Sequence, residues 1–233
     1  MIKRPILIYC AAGNRQFAEI AIKYGFKYGA QLPSKVYFPI FFADQDWKNP
    51  NRSKYMQCLA KHEPVMATVL DWEREEQLTE ILDWAEEASQ YVQEDIIIIP
   101  KVVGCIHKLP RKVNDKRIVL GYSVPTRYGG TFVPIWEFAG WPVHLLGGSP
   151  QKQMELWMYF RNIAEVVSAD GNMINYMATQ RCQFWSNKKI HHARNRHWTM
   201  LKDVGLDHIK DAPYEAFRRS CENIMQAWQE LCG

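Results

Sequence analysis

Short apolar runs alternate along the chain with longer stretches of helical spacing, and most of the apolar runs stop at glycine, asparagine or aspartate. Residues 5–11 (PILIYCA) read as a buried strand bounded by Ala12, Gly13 and Asn14. Residues 15–24 follow as a helix with Phe17, Ile20 and Ala21 turned inward. The same reading predicts strands over 27–32, 35–43, 64–70, 96–99, 117–124, 142–146 and 164–169. Helices are predicted over 54–61, 74–92, 151–161, 173–181 and 213–231; the last carries Phe217, Cys221, Ile224, Met225 and Trp228 on its inner stripe. Asp95 caps no obvious helix. Eight apolar strands separated by helices or loops predict an α/β fold of the (β/α)8 TIM-barrel type rather than a six-stranded doubly wound sheet. The connections after the second and fifth strands are short for that pattern. Residues 182–233 are expected to pack outside the barrel as helices, so that 1–233 form one domain.

Composition narrows the class without changing the fold. With 47% hydrophobic and 23% charged residues the chain has an ordinary soluble mixture. No apolar run approaches the roughly 20 residues that cross a bilayer, so no membrane partner is expected. The N-terminal residues lack the pattern of a signal peptide, and a cytoplasmic location is expected. Six scattered cysteines without Cys-x-x-Cys spacing argue against a disulfide framework or a compact zinc ribbon. Cys182, His191, His192 and His197 fit no standard ligand spacing, so neither metal nor cofactor is expected. The net charge of +4 is uneven, with Lys188, Lys189, Arg194 and Arg196 crowding one segment. Those cations can hold phosphates while Trp185 and Trp198 offer stacking faces for a base; the alternative is a solvated basic surface helix.

Candidate chemistry lies at predicted strand ends. Asp44, Asp71 and Asp170 each follow an apolar run, which in a barrel places them on the catalytic face. One aspartate there is equally well a loop residue or a helix N-cap, but three together suit a reaction in which one carboxylate attacks a sugar carbon and another handles protons. Gly147, Gly148 and Ser149 can cradle a phosphate at the start of the next helix or simply turn the chain. Gly129 and Gly130, beside Arg127, can cover the site or merely form a turn. His144, inside a strand, reads as a core histidine.

The run from Pro142 to Gly148 (PVHLLGG) resembles the penultimate strand of the tRNA-guanine transglycosylases, and Ser168-Ala169-Asp170 falls where that family carries its nucleophilic aspartate. Residues 66–71 (MATVLD) resemble the strand whose aspartate reads the base, and Asp44 falls at another catalytic aspartate. The resemblance spans roughly residues 5–181 and is nearest to the DpdA-type enzymes of phages and bacteria, which exchange guanine for a 7-deazaguanine in DNA. It implies Asp170 and Asp44 as catalytic residues, and Asp71, Gly147, Gly148 and Ser123 as substrate contacts. It also implies DNA and a free 7-deazaguanine base as partners, and the host cytoplasm as the location if the gene belongs to a phage. The zinc-binding cysteines of the tRNA enzymes and their Asp-Ser-Gly-Gly-Phe signature are absent. Pro125-Thr126-Arg127 matches a family motif in kind but lies after the sixth strand. A non-catalytic nucleic-acid-binding barrel and a barrel enzyme acting on a small nucleoside are the alternative readings.

Overall fold

The computed structural model describes residues 4–11, 14–126, 129–184, 197–206 and 208–233. In chain order the strands and helices are β1 (Ile6–Cys10), α1 (Arg15–Lys23), β2 (Lys27–Leu32), β3 (Phe42–Gln45), α2 (Arg52–His62), β4 (Met66–Thr68), α3 (Leu78–Ser89), β5 (Asp95–Ile98) and β6 (Lys112–Val113). They continue with β7 (Lys116–Ser123), β8 (Pro142–Leu146), α4 (Pro150–Phe160), β9 (Glu165–Gly171), α5 (Met173–Thr179), β10 (Cys182–Phe184), β11 (Trp198–Met200) and α6 (Ala212–Cys232).

Parallel pairing runs from β1 through β2, β3, β4, β5, β7, β8 and β9, and β9 pairs back onto β1 with Ile6 opposite Ser168 and Ile8 opposite Asp170. The eight strands therefore form a closed parallel barrel with helices outside, as the sequence pattern predicts. β6 is a short antiparallel extension of β7 turning at Asn114, which has a positive φ of 53°. Two apolar layers result. Ile8, Cys10, Phe42, Met66, Ile97, Ile99 and Val119 fill the interior, while a larger core lies between the strands and the outer helices. α6 packs on α1, α4 and α5: Phe217 stacks on Phe17 with centroids 4.5 Å apart, and Trp228 meets Trp157 edge-on at 6.0 Å.

The third strand lies later than expected. Instead of 35–43 it covers Phe42–Gln45, opening opposite Gly29 of β2. Pro39 has no N–H to give a ladder, and Val36, Tyr37 and Phe38 pack against the outer core as a connecting segment. Asp44 thus belongs to the strand itself. Asp95, without an obvious sequence role, opens β5 and makes a two-point ion pair with Arg117 of β7, at 2.9 and 2.8 Å. Residues 182–200, read as a break and a basic segment, contribute the antiparallel pair β10–β11. Three-residue strands carry too little periodicity to be read from sequence. The helix foreseen over 74–92 is a 3₁₀ turn at Glu75–Gln77 followed by α3.

Candidate active site

Alternation along each strand sends every second side chain into the ring, so the last inward residues of several strands meet at the carboxyl-terminal mouth. Cys10 of β1, Gln31 of β2, Asp44 of β3, Thr68 of β4, Ser123 of β7, Leu146 of β8 and Asp170 of β9 border one cavity of about 510 Å³. Asp71, Lys101, Gly147 and Gly148 join them from the loops. The three aspartates singled out in the sequence, together with Ser123 and the glycine pair, thus share one site.

Asp170 is 9% exposed and held through one oxygen. Its Oδ1 accepts the Gly147 N–H at 3.1 Å and lies 3.2 Å from Nε2 of His144. Gln153 of α4 ties the same corner together by donating its Nε2 to the carbonyls of Asp170, at 2.6 Å, and Gly147, at 2.7 Å. Gly147 and Gly148 have φ values of 67° and 78°, a region open to glycine at little cost. A Cβ on Gly148 would also stand 2.5 Å from Cγ1 of Val124. The glycine pair therefore lets β8 turn sharply enough for an amide to reach Asp170. The Gly147 amide is committed to that carboxylate, and Ser149 caps α4 by accepting from Lys152 N–H, so this corner is built around Asp170 rather than as a phosphate cradle.

Asp44 has a different setting. Thr68 Oγ1 donates to Asp44 Oδ1 at 3.2 Å and accepts from Gln45 N–H at 2.8 Å. Burial, reinforced by the negative charge of Asp170, holds the Asp44 carboxyl well above the ordinary aspartate range. The Cys10 thiol is raised for the same reasons, burial first and then the charges of Asp170 and Asp44. At Asp71 a lysine is present: Lys101 Nζ lies 2.6 Å from Oδ2 and also 3.4 Å from Glu73. Burial still outweighs the ammonium and leaves Asp71 raised. Trp47, about half exposed, shares the rim with Lys101, whose Nζ stands 5.9 Å from its ring centroid.

Five supporting residues escape the sequence reading. From the sequence His144 reads as core, and it is fully buried, but one of its partners is Asp170. The period of two in β9 puts Ser168 and Asp170 on one face, and that signal was available. Thr68, Gln153 and Lys101 carry no motif; their roles depend on which strands become neighbours. In the basic segment, Trp198 is 7% exposed and packs edge-on against Phe184 at 5.5 Å. Its pairing in β11 puts the indole into the core instead of offering a face for a base. Arg127, Trp185, Lys188, Lys189, His191, His192, Arg194 and Arg196 lie outside the described residues. Among the described residues no group of three His, Cys, Asp or Glu side chains is placed to hold a metal, and no helix is long and apolar enough to cross a membrane.

The chain belongs to a protein family of unknown function, DUF6610, whose model matches residues 18–229. No curated protein matches it.

Proposed function

We propose that this member of the family is a guanine transglycosylase that exchanges guanine for a 7-deazaguanine base in DNA through a covalent aspartyl-sugar intermediate. The observation that carries the reading is the unequal pair of aspartates on one cavity. Asp170 accepts the Gly147 N–H on the oxygen that also faces His144, while burial and the charge of Asp170 raise the Asp44 carboxyl and so favour its protonated form. Environments that separate two carboxyl groups are what a nucleophile and a proton donor require.

In the proposed reaction Asp170 attacks the sugar anomeric carbon, forming a C1′–O bond as the C1′–N9 bond to guanine breaks. The departing base takes the proton of Asp44. The incoming 7-deazaguanine bonds to C1′ through its ring nitrogen and returns a proton to Asp44, while the C1′–O bond breaks and restores the Asp170 carboxylate. Asp71, set by Lys101, accepts from the donor edge of the purine, and Ser123 with Gly148 borders the base. The choice of DNA as substrate draws on the basic segment containing Lys188, Lys189, Arg194 and Arg196 and on the resemblance of the β8 and β9 sequences.

The test is exchange of labelled guanine in DNA by the purified protein, alongside mass spectrometry of nucleosides from DNA of cells expressing the gene. Exchange by the native chain and none by Asp170→Asn is the expected result, because the two side chains are nearly isosteric and only the nucleophile is lost. Equal exchange by both proteins would remove Asp170 from the reaction. Turnover of free nucleosides alone would replace the polymer reading with that of a small-molecule enzyme.

A further inference from the structure

Behind Asp170 stands a buried polar column that the proposed chemistry does not itself use. His144 and Ser168 are both fully buried, on the adjacent strands β8 and β9, where they face each other in register. Nδ1 of His144 lies 2.7 Å from Ser168 Oγ, and Nε2 lies 3.2 Å from Asp170 Oδ1. The ring also packs at 4.8 Å, centroid to centroid, against Phe42. Among the described residues the far side of Ser168 offers only a thioether, Met66 Sδ at 3.8 Å, which is a weak acceptor.

Among the described residues each ring nitrogen therefore has one polar neighbour, and the neighbours differ in what they offer. A carboxylate can only accept, so the nitrogen facing Asp170 must carry a proton. A hydroxyl can donate, and at 2.7 Å with no competing strong acceptor its proton is directed to Nδ1. The opposite tautomer would set a lone pair on Nε2 against a carboxylate oxygen and leave the serine proton to sulfur.

We infer that Asp170 and Ser168 together fix His144 as the Nε2–H tautomer, and that His144 is thereby a positioning residue that holds Asp170 Oδ1 and leaves Oδ2 as the oxygen that reacts. Oδ1 receives the two donors, from His144 and from Gly147. Among the described residues Oδ2 receives none. Two donors on one oxygen fix the plane of the carboxylate, so the second oxygen is aimed rather than merely present. The same donors bind a free carboxylate more strongly than an ester. They therefore assist the step in which Asp170 is released from the sugar. This part rests on the transglycosylase reading; the tautomer does not.

Nitrogen NMR of the full-length protein labelled at histidine tests the tautomer directly, with His144→Gln identifying the resonances. Protonated Nε2 and unprotonated Nδ1 are expected, and Ser168→Ala, which removes only the donor to Nδ1, should shift the Nδ1 resonance while Nε2 stays protonated. A protonated Nδ1 in the native protein would overturn the inference, whatever the activity. Where exchange is measurable, His144→Phe should lower kcat about ten- to a hundredfold with KM unchanged, which is the worth of one hydrogen bond to a charged group. His144→Gln, whose amide can still donate, should recover most of it. Equal losses in the two variants would reduce His144 to core filling, and Ser168→Ala supplies the same comparison if the Phe variant does not fold. Failure of native protein to exchange bases would reject the reaction alone, and the nitrogen spectrum would still decide the tautomer.

Discussion

At Asp44 burial and a neighbouring charge act in the same direction, and the consequence is measurable without any substrate. The folded protein keeps a proton that the unfolded chain releases near the ordinary aspartate value of about 4. Stability therefore falls as pH rises from that value towards the raised value of the folded state, and it is not lost below it. Asp44→Asn has no proton to lose. Its melting temperature relative to the native protein should climb as pH rises above about 4, which thermal melts across a pH series will show. Asp170→Asn removes the second cause of the shift, so its own advantage over the native protein should also grow with pH, by a smaller amount. Asp71 belongs to recognition in the proposed scheme. Asp71→Asn is expected to leave DNA affinity nearly unchanged while weakening selection of guanine, as competition between labelled bases in the exchange assay will report.

Two glycines inside the ring, Gly29 of β2 and Gly121 of β7, decide how closely the strands' side chains interlock. At Gly121 of β7 a Cβ would lie 2.5 Å from Leu146 Cδ1 and 2.7 Å from Ile99 Cγ1, so the neighbours already occupy that space. Gly121→Ala should cost about 1–3 kcal/mol by overpacking, read from denaturant unfolding. Such positions also show what the sequence makes legible. The apolar runs of β1, β5, β7, β8 and β9 and the stripes of α1, α4 and α6 are strong enough to be read directly, and the aspartates at the strand ends follow from them. β3 was displaced because the run from Val36 to Ala43 is apolar throughout, yet Pro39 interrupts any ladder. β10 and β11 were unreadable because three residues fix no period, and with them went the burial of Trp198. The partners of Asp170 divide likewise: Ser168 is two residues away on the same strand, whereas Gln153 reaches the site only because α4 folds back over β9.

Across the whole molecule, charge is divided between an aspartate-lined mouth and the basic segment containing Lys188 and Lys189. If that segment meets phosphates, the double change of Lys188 and Lys189 to Ala should weaken DNA binding regardless of sequence and flatten its salt dependence by about two counterions. Binding isotherms at several salt concentrations will report the slope, and an unaltered slope would place DNA on another face. The amino-terminal rim of the barrel has its own clamp in Asp95 and Arg117. Asp95 is 6% exposed but the Arg117 side chain is 46% exposed, so Asp95→Ala should cost about 1–2 kcal/mol, less than a fully buried pair.

The seam between β1 and β9 joins residues far apart in the chain, Ile6 with Ser168 and Ile8 with Asp170. During synthesis β1 emerges before β9, and at about 5–20 residues per second its partner follows some ten to thirty seconds later. In that interval Ile6, Leu7, Ile8 and Tyr9 present an unpaired apolar edge, the kind of surface on which nascent chains adhere to one another. A ribosome-stalled or truncated product ending before Glu165 should therefore bind chaperones or precipitate, while the finished chain does not. The strand that closes the seam also carries Asp170, so in the proposed scheme the nucleophile arrives with the last stave of the barrel, and a chain that lacks β9 holds no reactive centre to release into the cell.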